Sequence, residues 1–451
     1  MRVWTPDRIA SESGARLIAP PPSDRGPERV TIDSREAGPG ALFVGLPGAN
    51  VDGGAFAANA LAAGAWGILA TPEHADSARC APPGVLLAAD DPLSALQGLA
   101  AAWRVELGAT VIGITGSTGK TTTKDILLAL LAPARRAVAS RANFNTEIGL
   151  PLEILAAPAG TEVLVLEHAM RGAGQIAELA AISRPEVAVI VNIGPVHLEL
   201  LGSLEAIAAA KSELIAALPP GGTAVVPVAE PLLEPHLRND IDVVRFGAGG
   251  DVAVQSAEST HLEVVAGHDV YSLEFPFTQE HLRTDLLAAV GAARAAGVTP
   301  DGRVEVALSA ARGQRSELPE GVTLIDDCYN ANPMSMRAAL DDLAKTAGDA
   351  RMVAVLGDML ELGEDEREFH LQIGQHADAL DLDVLVTVGP LAAAMGERFE
   401  GEIYPVADAG EAAALVPELL APGDVVLVKG SRGVGLELVT EALAATEGQW
   451  G

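Results

Sequence analysis

The chain has 451 residues, about half of them apolar, which is enough for two to four domains with sizeable cores. Thirty basic residues against 61 acidic ones give a formal net charge of −31. Such a field repels nucleic acid and anionic membranes, so neither is expected as a partner. No apolar run reaches the ~18 residues that span a bilayer, and the N-terminus lacks the apolar core of a signal peptide. Two cysteines, Cys80 and Cys328, make no disulfide framework. These features predict a cytoplasmic protein.

The first segment, residues 1–107, mixes short strands with helical stretches. Runs typical of strands occur at residues 30–34, 41–46 and 66–70. Alanine-rich stretches typical of helices separate them. This pattern favours a small α/β domain.

In the second segment, residues 108–312, strands and helices alternate regularly. Residues 111–115, 163–167 and 187–194 are continuous apolar runs, typical of strands buried on both faces of a parallel sheet. Helical stretches lie between them, as right-handed crossovers require. The segment therefore predicts a parallel α/β domain.

Two further features are predicted near the end of this segment. Polar and apolar residues alternate over residues 252–277, which predicts a small antiparallel insertion. Residues 284–297 follow as a helix stopped by glycine.

A third alternating unit covers residues 313–451. Its predicted strands are residues 322–326, 352–357, 384–389 and 425–430. Helical stretches separate them. The whole chain is therefore predicted to be an α/β protein of three domains.

Residues 111–126, VIGITGSTGKTTTKDI, have the features of a phosphate-binding loop. Glycines let backbone N–H groups turn inward, and the following helix N-terminus adds positive potential. Lys120 can reach the β- and γ-phosphates, and the Thr121 hydroxyl can ligate Mg²⁺. The strict P-loop pattern requires glycine where Ile114 stands, but strand, loop and helix coincide. A glycine-rich turn without a ligand is the alternative. The predicted ATP-binding residues of the loop are Gly116, Ser117, Thr118, Gly119, Lys120, Thr121 and Thr122.

Two polar residues follow apolar strands of the same segment. One strand ends in Glu167, and the next leads on to His197. Ligands of open α/β sheets lie at the carboxyl ends of strands, and a carboxylate there suits Mg²⁺. The alternative is a solvent-facing glutamate and a loop histidine.

Lys211 falls on the apolar stripe of a predicted helix, with Ile207 and Leu214. Burial lowers the pKa of an amine. A neutral amine near a metal can react with CO₂ to form a carbamate, which is a metal-binding carboxylate. A lysine that extends from the edge of the stripe into solvent is an equally good interpretation.

Lysine is rare in this chain, since only five of the 30 basic residues are lysines. Arginine cannot replace a lysine that serves as a compact point charge or a reactive amine. The five are Lys120, Lys124, Lys211, Lys345 and Lys429. Four of them lie in motifs and are candidates for chemistry.

Seven segments resemble motifs of the Mur ligase family, the ATP-dependent amide-forming enzymes of peptidoglycan synthesis. They are residues 31–48, 113–125, 143–151, 192–214, 324–336, 356–364 and 427–433. Among them TTTK and YNANPMSM are the most discriminating, because sibling ligases carry other sequences there. The resemblance spans nearly the whole chain.

The resemblance implies three domains: a UDP-sugar-binding α/β domain (1–107), a central ATP-binding P-loop domain with a parallel sheet (108–312) and a C-terminal Rossmann-like ligase domain (313–451). It implies a cell-wall enzyme that adds D-alanyl-D-alanine to UDP-N-acetylmuramoyl-tripeptide through an acyl phosphate, with ATP. A monomer is expected. The resemblance leaves the third residue of the tripeptide open.

The resemblance also implies roles for individual residues. Thr121 and Glu167 would bind one Mg²⁺ ion, and His197 with carbamylated Lys211 the other; with Lys120 they would form the catalytic set. Further nucleotide contacts would be His281, Asp285, Arg315 and Asp327. The implied substrate contacts are Ser34, Arg35, Asn145, Thr146, Tyr329, Asn330, Asn332, Ser335 and Lys429. For Lys429, a surface loop is the alternative.

Four positions depart from the family pattern. They are Gly54, where histidine is usual, His168 in place of methionine, and Leu282 and Asp285 in place of two adenine-site asparagines. The lost asparagines favour an alternative, a Mur-like ligase that joins a different carboxylate and amine. The intact Asp33-Ser34-Arg35 segment and YNANPMSM argue against it. A P-loop switch protein or an inactive Mur-like binding partner is a third interpretation, which would not explain why Glu167, His197 and Lys211 occur together.

Overall fold

The structure is a computed structural model that describes residues 3–18, 24–141 and 143–445. These residues form three α/β domains, each built around its own sheet. The predicted α/β class and the three-domain organisation are confirmed. In the described part of the chain, no helix is both long and apolar enough to cross a membrane.

Within residues 3–18 and 24–107, the first domain contains five short strands and four helices. They are α1 (Pro6–Ser13), β1 (Arg16–Leu17), β2 (Arg29–Thr31), β3 (Ala41–Val44), α2 (Ala57–Ala62), β4 (Gly67–Ala70), α3 (Pro72–Ser77), β5 (Val85–Ala88) and α4 (Pro92–Leu107). The sheet order is β1-β5-β4-β3-β2, and every pair except β1–β5 is parallel. The three predicted strands correspond to β2, β3 and β4.

The central domain is the largest. Its elements are β6 (Thr110–Thr115), α5 (Lys120–Leu131), β7 (Ala137–Ala139), α6 (Gly149–Ala156), β8 (Val163–Glu167), α7 (Gln175–Ser183), β9 (Val187–Ile190), α8 (Leu198–Leu201), α9 (Leu204–Ala216), β10 (Thr223–Pro227), β11 (Asp242–Phe246), β12 (Val252–Glu258), β13 (His261–Ala266), β14 (Asp269–Glu274), α10 (Glu280–Ala295) and β15 (Gly302–Arg303). They form a single ten-stranded sheet with α5 and α10 packed on one face.

The order of the central sheet is β15-β14-β13-β12-β11-β10-β9-β6-β8-β7. Strands β6 to β11 are parallel, and the three runs predicted as parallel strands are β6, β8 and β9. The predicted antiparallel segment is confirmed as β12, β13 and β14, but these strands extend the main sheet through β11 rather than forming a separate insertion. Helix α10 begins at Glu280, four residues earlier than predicted.

Over its described residues, 313–445, the third domain has six strands and four helices. They are β16 (Gln314–Glu317), β17 (Thr323–Asp326), α11 (Pro333–Ala347), β18 (Met352–Gly357), α12 (Glu366–Ala379), β19 (Val384–Val388), β20 (Glu402–Val406), α13 (Ala409–Leu419), β21 (Val425–Lys429) and α14 (Glu437–Ala445). The sheet order is β16-β17-β21-β18-β19-β20, parallel except for β16–β17. The four predicted strands correspond to β17, β18, β19 and β21.

The first and central domains share one hydrophobic core. Trp103 on α4 packs edge-on against Trp4 at 5.4 Å between ring centroids, and its indole N–H donates to Ala157 O at 3.1 Å. The third domain has its own two core clusters. It meets the central domain across a cleft, and this cleft holds most of the predicted site residues.

Candidate active site

A cleft with a cavity volume of about 1370 Å³ lies between the central and third domains. On the central side it is lined by the segments after β6, β8 and β9 and by the start of α10. On the third-domain side it is lined by the segments after β17, β18 and β21. Carboxyl ends of strands from both sheets therefore face each other, which is where open α/β sheets bind ligands.

The phosphate loop lies between β6 and α5 and is held by the segment after β9. Asn192 Oδ1 accepts from the Thr118 N–H at 2.9 Å, and the Ser117 hydroxyl donates to Gly194 O at 3.0 Å. Gly119 begins α5 with φ 75°, and a Cβ there would lie 2.5 Å from Asp285 Oδ1. Only glycine suits this position, which leaves the helix N-terminus open to a phosphate.

Lys120 folds back over this loop, and its Nζ donates to Gly116 O at 2.7 Å. Burial lowers the pKa of Lys120 to about 8. Glu167 opposes the shift and Arg312 adds to it. The amine is therefore mainly protonated at neutral pH and placed to bind a phosphate.

Glu167 is almost fully buried at the end of β8, with 1% of its surface exposed. Its Oε2 accepts from the Thr121 hydroxyl at 3.2 Å. Its Oε1 accepts no hydrogen bond, although Lys124 Nζ lies 3.4 Å away. A buried carboxylate oxygen without a hydrogen bond, next to a threonine hydroxyl, fits a divalent cation. The solvent-facing alternative for Glu167 is excluded.

Among the described residues, no group of three or more His, Cys, Asp or Glu side chains is arranged to hold a metal ion. A metal here would need other ligands, such as Thr121, a modified lysine or phosphate oxygens. Such a partly built site is typical of Mg²⁺ held between carboxylates and substrate phosphates.

Lys211 is 2% exposed in α9, which decides between the two interpretations that the sequence left open. Burial, with a contribution from the Lys120 charge, lowers the pKa of Lys211 well below its ordinary value. The solvent-reaching alternative is therefore excluded. The depressed pKa favours the neutral amine, and only a neutral amine reacts with CO₂.

His197 lies in the cleft between β9 and α8, in the left-handed conformation with φ 52°. Its Nδ1 forms a hydrogen bond with Glu361 of the third domain. Burial lowers the pKa of His197, and Glu361 opposes the shift. Charges on Lys120 and Lys211 also lower this pKa, so the three side chains lie within electrostatic reach of one another.

On the third-domain side, Lys429 lies at the end of β21 and is 2% exposed. Its Nζ lies 2.5 Å from Asp327 Oδ2 and donates to Asn330 O at 3.0 Å. All three residues line the cleft. The surface-loop alternative for Lys429 is therefore excluded.

Tyr329, Asn332 and Ser335 also line the cleft. Asn332 and Ser335 form a capping box at the start of α11, in which Asn332 Oδ1 accepts from the Ser335 N–H at 3.0 Å. The box fixes the loop between β17 and α11 that carries Tyr329. The two side chains thus shape the cleft through the loop they hold.

Arg312 is a cleft residue that the sequence analysis did not single out. Its guanidinium stacks on the Tyr329 ring at 3.9 Å, and its Nη2 donates to the Thr121 hydroxyl at 3.3 Å. Arg315, the predicted nucleotide contact, pairs instead with Asp342 at 2.8 Å and with Thr346. Asp342 lines the cleft, so Arg315 reaches it only through this carboxylate. Both arginines lie in the segment RGQRSEL, residues 312–318, three positions apart.

Three family models match successive parts of the chain. The model described as "Mur ligase family, catalytic domain" matches residues 28–103, "Mur ligase middle domain" matches residues 114–293, and "Mur ligase, glutamate ligase domain" matches residues 311–432. A UDP-N-acetylmuramoyl-tripeptide–D-alanyl-D-alanine ligase of Mycobacterium tuberculosis is 38% identical, covering 98% of this chain and 97% of the relative. The chain belongs to the Mur ligase family.

Other members of the Mur ligase family match over similar lengths. Ligases of the same description from Bacillus subtilis and Escherichia coli are 36% and 31% identical over 92% of this chain. Among solved structures, MurF from Acinetobacter baumannii superimposes with a TM-score of 0.87 at 28% identity, covering 98% of this chain and 99% of that one. MurF ligase from Thermotoga maritima in complex with ADP gives 0.80 at 31% identity, covering 92% and 97%.

In this Mur ligase the remaining predicted substrate contacts fall into two places. Asn145 and Thr146 line the cleft, whereas Ser34 and Arg35 of the first domain do not. Arg35 pairs with Asp33 at 2.6 Å and lowers the pKa of that carboxyl to about 2. Ser34 and Arg35 therefore lie outside this cleft.

Two departures from the Mur ligase pattern are explained by neighbouring residues. A Cβ at Gly54 would lie 2.3 Å from a ring carbon of His74, so this imidazole fills the space, and its Nε2 pairs with Asp52 at 3.0 Å. His168 is fully buried, and burial lowers its pKa to about 4. Its Nε2 pairs with the Ser183 hydroxyl at 2.9 Å, which makes it a core residue outside the cleft.

The two adenine-site departures lie on the first turns of α10, where Leu282 is nearly buried and His281 is exposed at the cleft. Burial raises the pKa of Asp285 well above its ordinary value, which favours the protonated form of its carboxyl. A protonated carboxyl offers one donor and one acceptor, as an asparagine amide does. Asp285 can therefore make the hydrogen bonds of the residue it replaces.

Proposed function

We propose that this Mur ligase uses ATP to join the terminal carboxylate of UDP-N-acetylmuramoyl-tripeptide to the amine of D-alanyl-D-alanine in peptidoglycan synthesis. The observation that carries this function is the near full-length match, at 31–38% identity, to ligases with that activity in their names. The cleft adds chemical support, because it is lined by the phosphate loop, by the cationic side chains of Lys120 and Arg312, and by the buried carboxylate of Glu167. A cytoplasmic location and a monomeric state remain predictions.

In the first step the tripeptide carboxylate attacks the γ-phosphate of ATP, which forms an acyl phosphate and releases ADP. A carboxylate that approaches triphosphate meets strong like-charge repulsion. Lys120 is placed to neutralise the β- and γ-phosphates, and Arg312 reaches the same end of the loop from the third domain. In a chain of net charge −31 these local cations are essential.

In the second step the amine of D-alanyl-D-alanine attacks the acyl carbonyl, phosphate leaves, and the nitrogen loses its proton. The acyl phosphate must meet the amine before it meets water. The cleft lies between two domains, so their approach can exclude water from it. Lys429 and Asn330 line the third-domain wall and are proposed to contact the substrates.

Two Mg²⁺ ions are proposed, the first held by Thr121 and Glu167 and the second by His197 and carbamylated Lys211. Bound there, they would supply positive charge to the phosphates. The Glu167 oxygen that accepts no hydrogen bond and the depressed pKa of the Lys211 amine support this arrangement.

The other predicted contacts are kept as proposals. His281, Asp285, Asp327 and, through Asp342, Arg315 would contact the nucleotide. The substrate contacts would be Ser34, Arg35, Asn145, Thr146, Tyr329, Asn330, Asn332, Ser335 and Lys429. The domain boundaries at residues 107/108 and 312/313 are likewise proposed.

Phosphate release from ATP tests the function. We expect release only when UDP-N-acetylmuramoyl-tripeptide and D-alanyl-D-alanine are both supplied, with one product amide formed per phosphate. Release that needs neither substrate would contradict a ligase. Release that needs a different carboxylate and amine would favour the variant ligase suggested by the changes at Leu282 and Asp285.

A further inference from the structure

The Glu361 carboxylate of the third domain contacts two side chains of the central domain, His197 and Arg171. Glu361, in the segment after β18, places Oε2 against His197 Nδ1 and Oε1 at 3.8 Å from Arg171 Nε. The His197 and Glu361 side chains are 27% and 36% exposed. This contact therefore joins the two walls of the cleft at the residue proposed to bind the second metal ion.

The backbone on both sides is held in an unusual conformation to make this contact. His197 and Glu361 are both in the left-handed region, with φ 52° and 63°. For residues other than glycine this conformation is strained and occurs mainly at functional sites. Gly363 lies close to α8 as well, since a Cβ there would be 3.2 Å from Glu199 N. The two loops are thus packed tightly around the pair.

The hydrogen bond determines which imidazole nitrogen is free. A carboxylate only accepts hydrogen bonds, so His197 Nδ1 must carry the proton that it donates to Glu361. In the neutral ring the lone pair is then on Nε2. Metal-binding histidines commonly donate their other N–H to a carboxylate in this way, which fixes the ring and raises its basicity.

We propose that Glu361 is a positioning residue that orients His197 for metal binding, so that the second metal site is complete only when the third domain packs on the central one. This inference rests on the assignment of His197 as a metal ligand in the proposed function. Metal binding and domain packing are then thermodynamically linked. Packing of the third domain raises the affinity for the metal, and bound metal favours packing by the same factor.

Binding of Mn²⁺, used in place of Mg²⁺, to the full chain with saturating ADP tests this role. The free Mn²⁺ signal in electron paramagnetic resonance reports affinity and stoichiometry without turnover. We expect Glu361→Leu to weaken the second Mn²⁺ equivalent about 10- to 100-fold. Glu361→Gln keeps a carbonyl acceptor for Nδ1–H and should retain most of the affinity. Glu364→Gln, an exposed carboxylate in the same loop, is the matched control and should change nothing.

His197→Asn separates this inference from the assignment on which it rests. We expect this variant to lose the second Mn²⁺ equivalent, and Glu361→Leu to add no further loss in the double variant. If His197→Asn binds Mn²⁺ like the parent, the ligand assignment fails and this inference with it, while the ligase function stands. If His197→Asn weakens binding and Glu361→Leu does not, the positioning role alone is overturned.

Discussion

Replacing Arg312 by alanine removes the guanidinium that the third domain brings to the phosphate loop. In the structure its Nη2 is 3.3 Å from the Thr121 hydroxyl, at the first turn of α5. Tyr329 supports the guanidinium plane at 3.9 Å. A γ-phosphate bound by this loop would lie within a few ångströms of the Arg312 charge. The variant therefore tests whether Arg312 stabilises the phosphoryl group during transfer.

The magnitude follows from Coulomb's law. Opposite unit charges about 4 Å apart attract by about 4 kcal/mol at an effective dielectric constant of about 20. If most of this attraction arises as charge develops in the transition state, Arg312→Ala should lower kcat by about 10³-fold. Arg312→Lys keeps the charge but loses the planar stack on Tyr329, which contributes about 0.5–2 kcal/mol. We expect a loss of about tenfold for that variant.

The assay is steady-state phosphate release with all three substrates, which gives kcat and the KM for ATP. Arg315→Ala is the matched control, because its guanidinium is 39% exposed and pairs with Asp342 away from the loop. We expect a loss of less than about tenfold from the control. A larger loss for Arg315→Ala than for Arg312→Ala would refute the reasoning, as would an Arg312→Ala enzyme within threefold of the parent.

Three further predictions concern lysines. Because burial lowers the pKa of Lys120 to about 8, the Kd for ATP measured by calorimetry should be constant below pH 8. Above pH 8 it should rise by up to about tenfold per pH unit as the amine loses its proton, and Lys120→Arg should show no such break. Lys429→Met leaves Asp327 unpaired and should cost about 3 kcal/mol in urea unfolding, with recovery in the Lys429→Met/Asp327→Asn double variant. Lys211→Ala should abolish turnover, bicarbonate should not restore it, and the carbamate signal in ¹³C NMR should vanish; an active variant would remove the carbamate from the mechanism.

The sequence predicted those parts of the fold that depend on local pattern. Strand β6 and helix α5 follow from an apolar run, a glycine turn and Lys-Thr, and the structure has them at residues 110–115 and 120–131. The place of Lys211 on the apolar stripe of α9 follows from apolar neighbours at helical spacing, although its burial does not. These features could be predicted because the spacing of apolar residues along a helix or strand shows which of its faces is buried.

Other features depend on contacts between distant parts of the chain and could not be predicted. Strand β12 joins the main sheet through a single pair, Phe246 with Val252, which the alternating pattern of residues 252–277 does not indicate. The pattern is the same in an isolated hairpin and in a sheet extension. Likewise, spacing alone does not show which of Arg312 and Arg315 turns toward the phosphate loop. That choice depends on Tyr329 and Asp342, each placed by a different element.

The scarcity of lysine acquires a physical reason in the structure. Lys345 is exposed, whereas Lys124, Lys211 and Lys429 are at most 3% exposed and Lys120 lies in the cleft. A guanidinium stays charged even when buried, but the pKa of an amine falls with desolvation. The low pKa of Lys211 is what makes carbamate formation chemically possible, and arginine at this position would leave a buried cation beside Lys120. Lys211→Arg should therefore be as inactive as Lys211→Ala, because it places a fixed cation where a neutral amine is needed. An acidic protein needs local positive charge to bind phosphates, and this chain places that charge in one cleft.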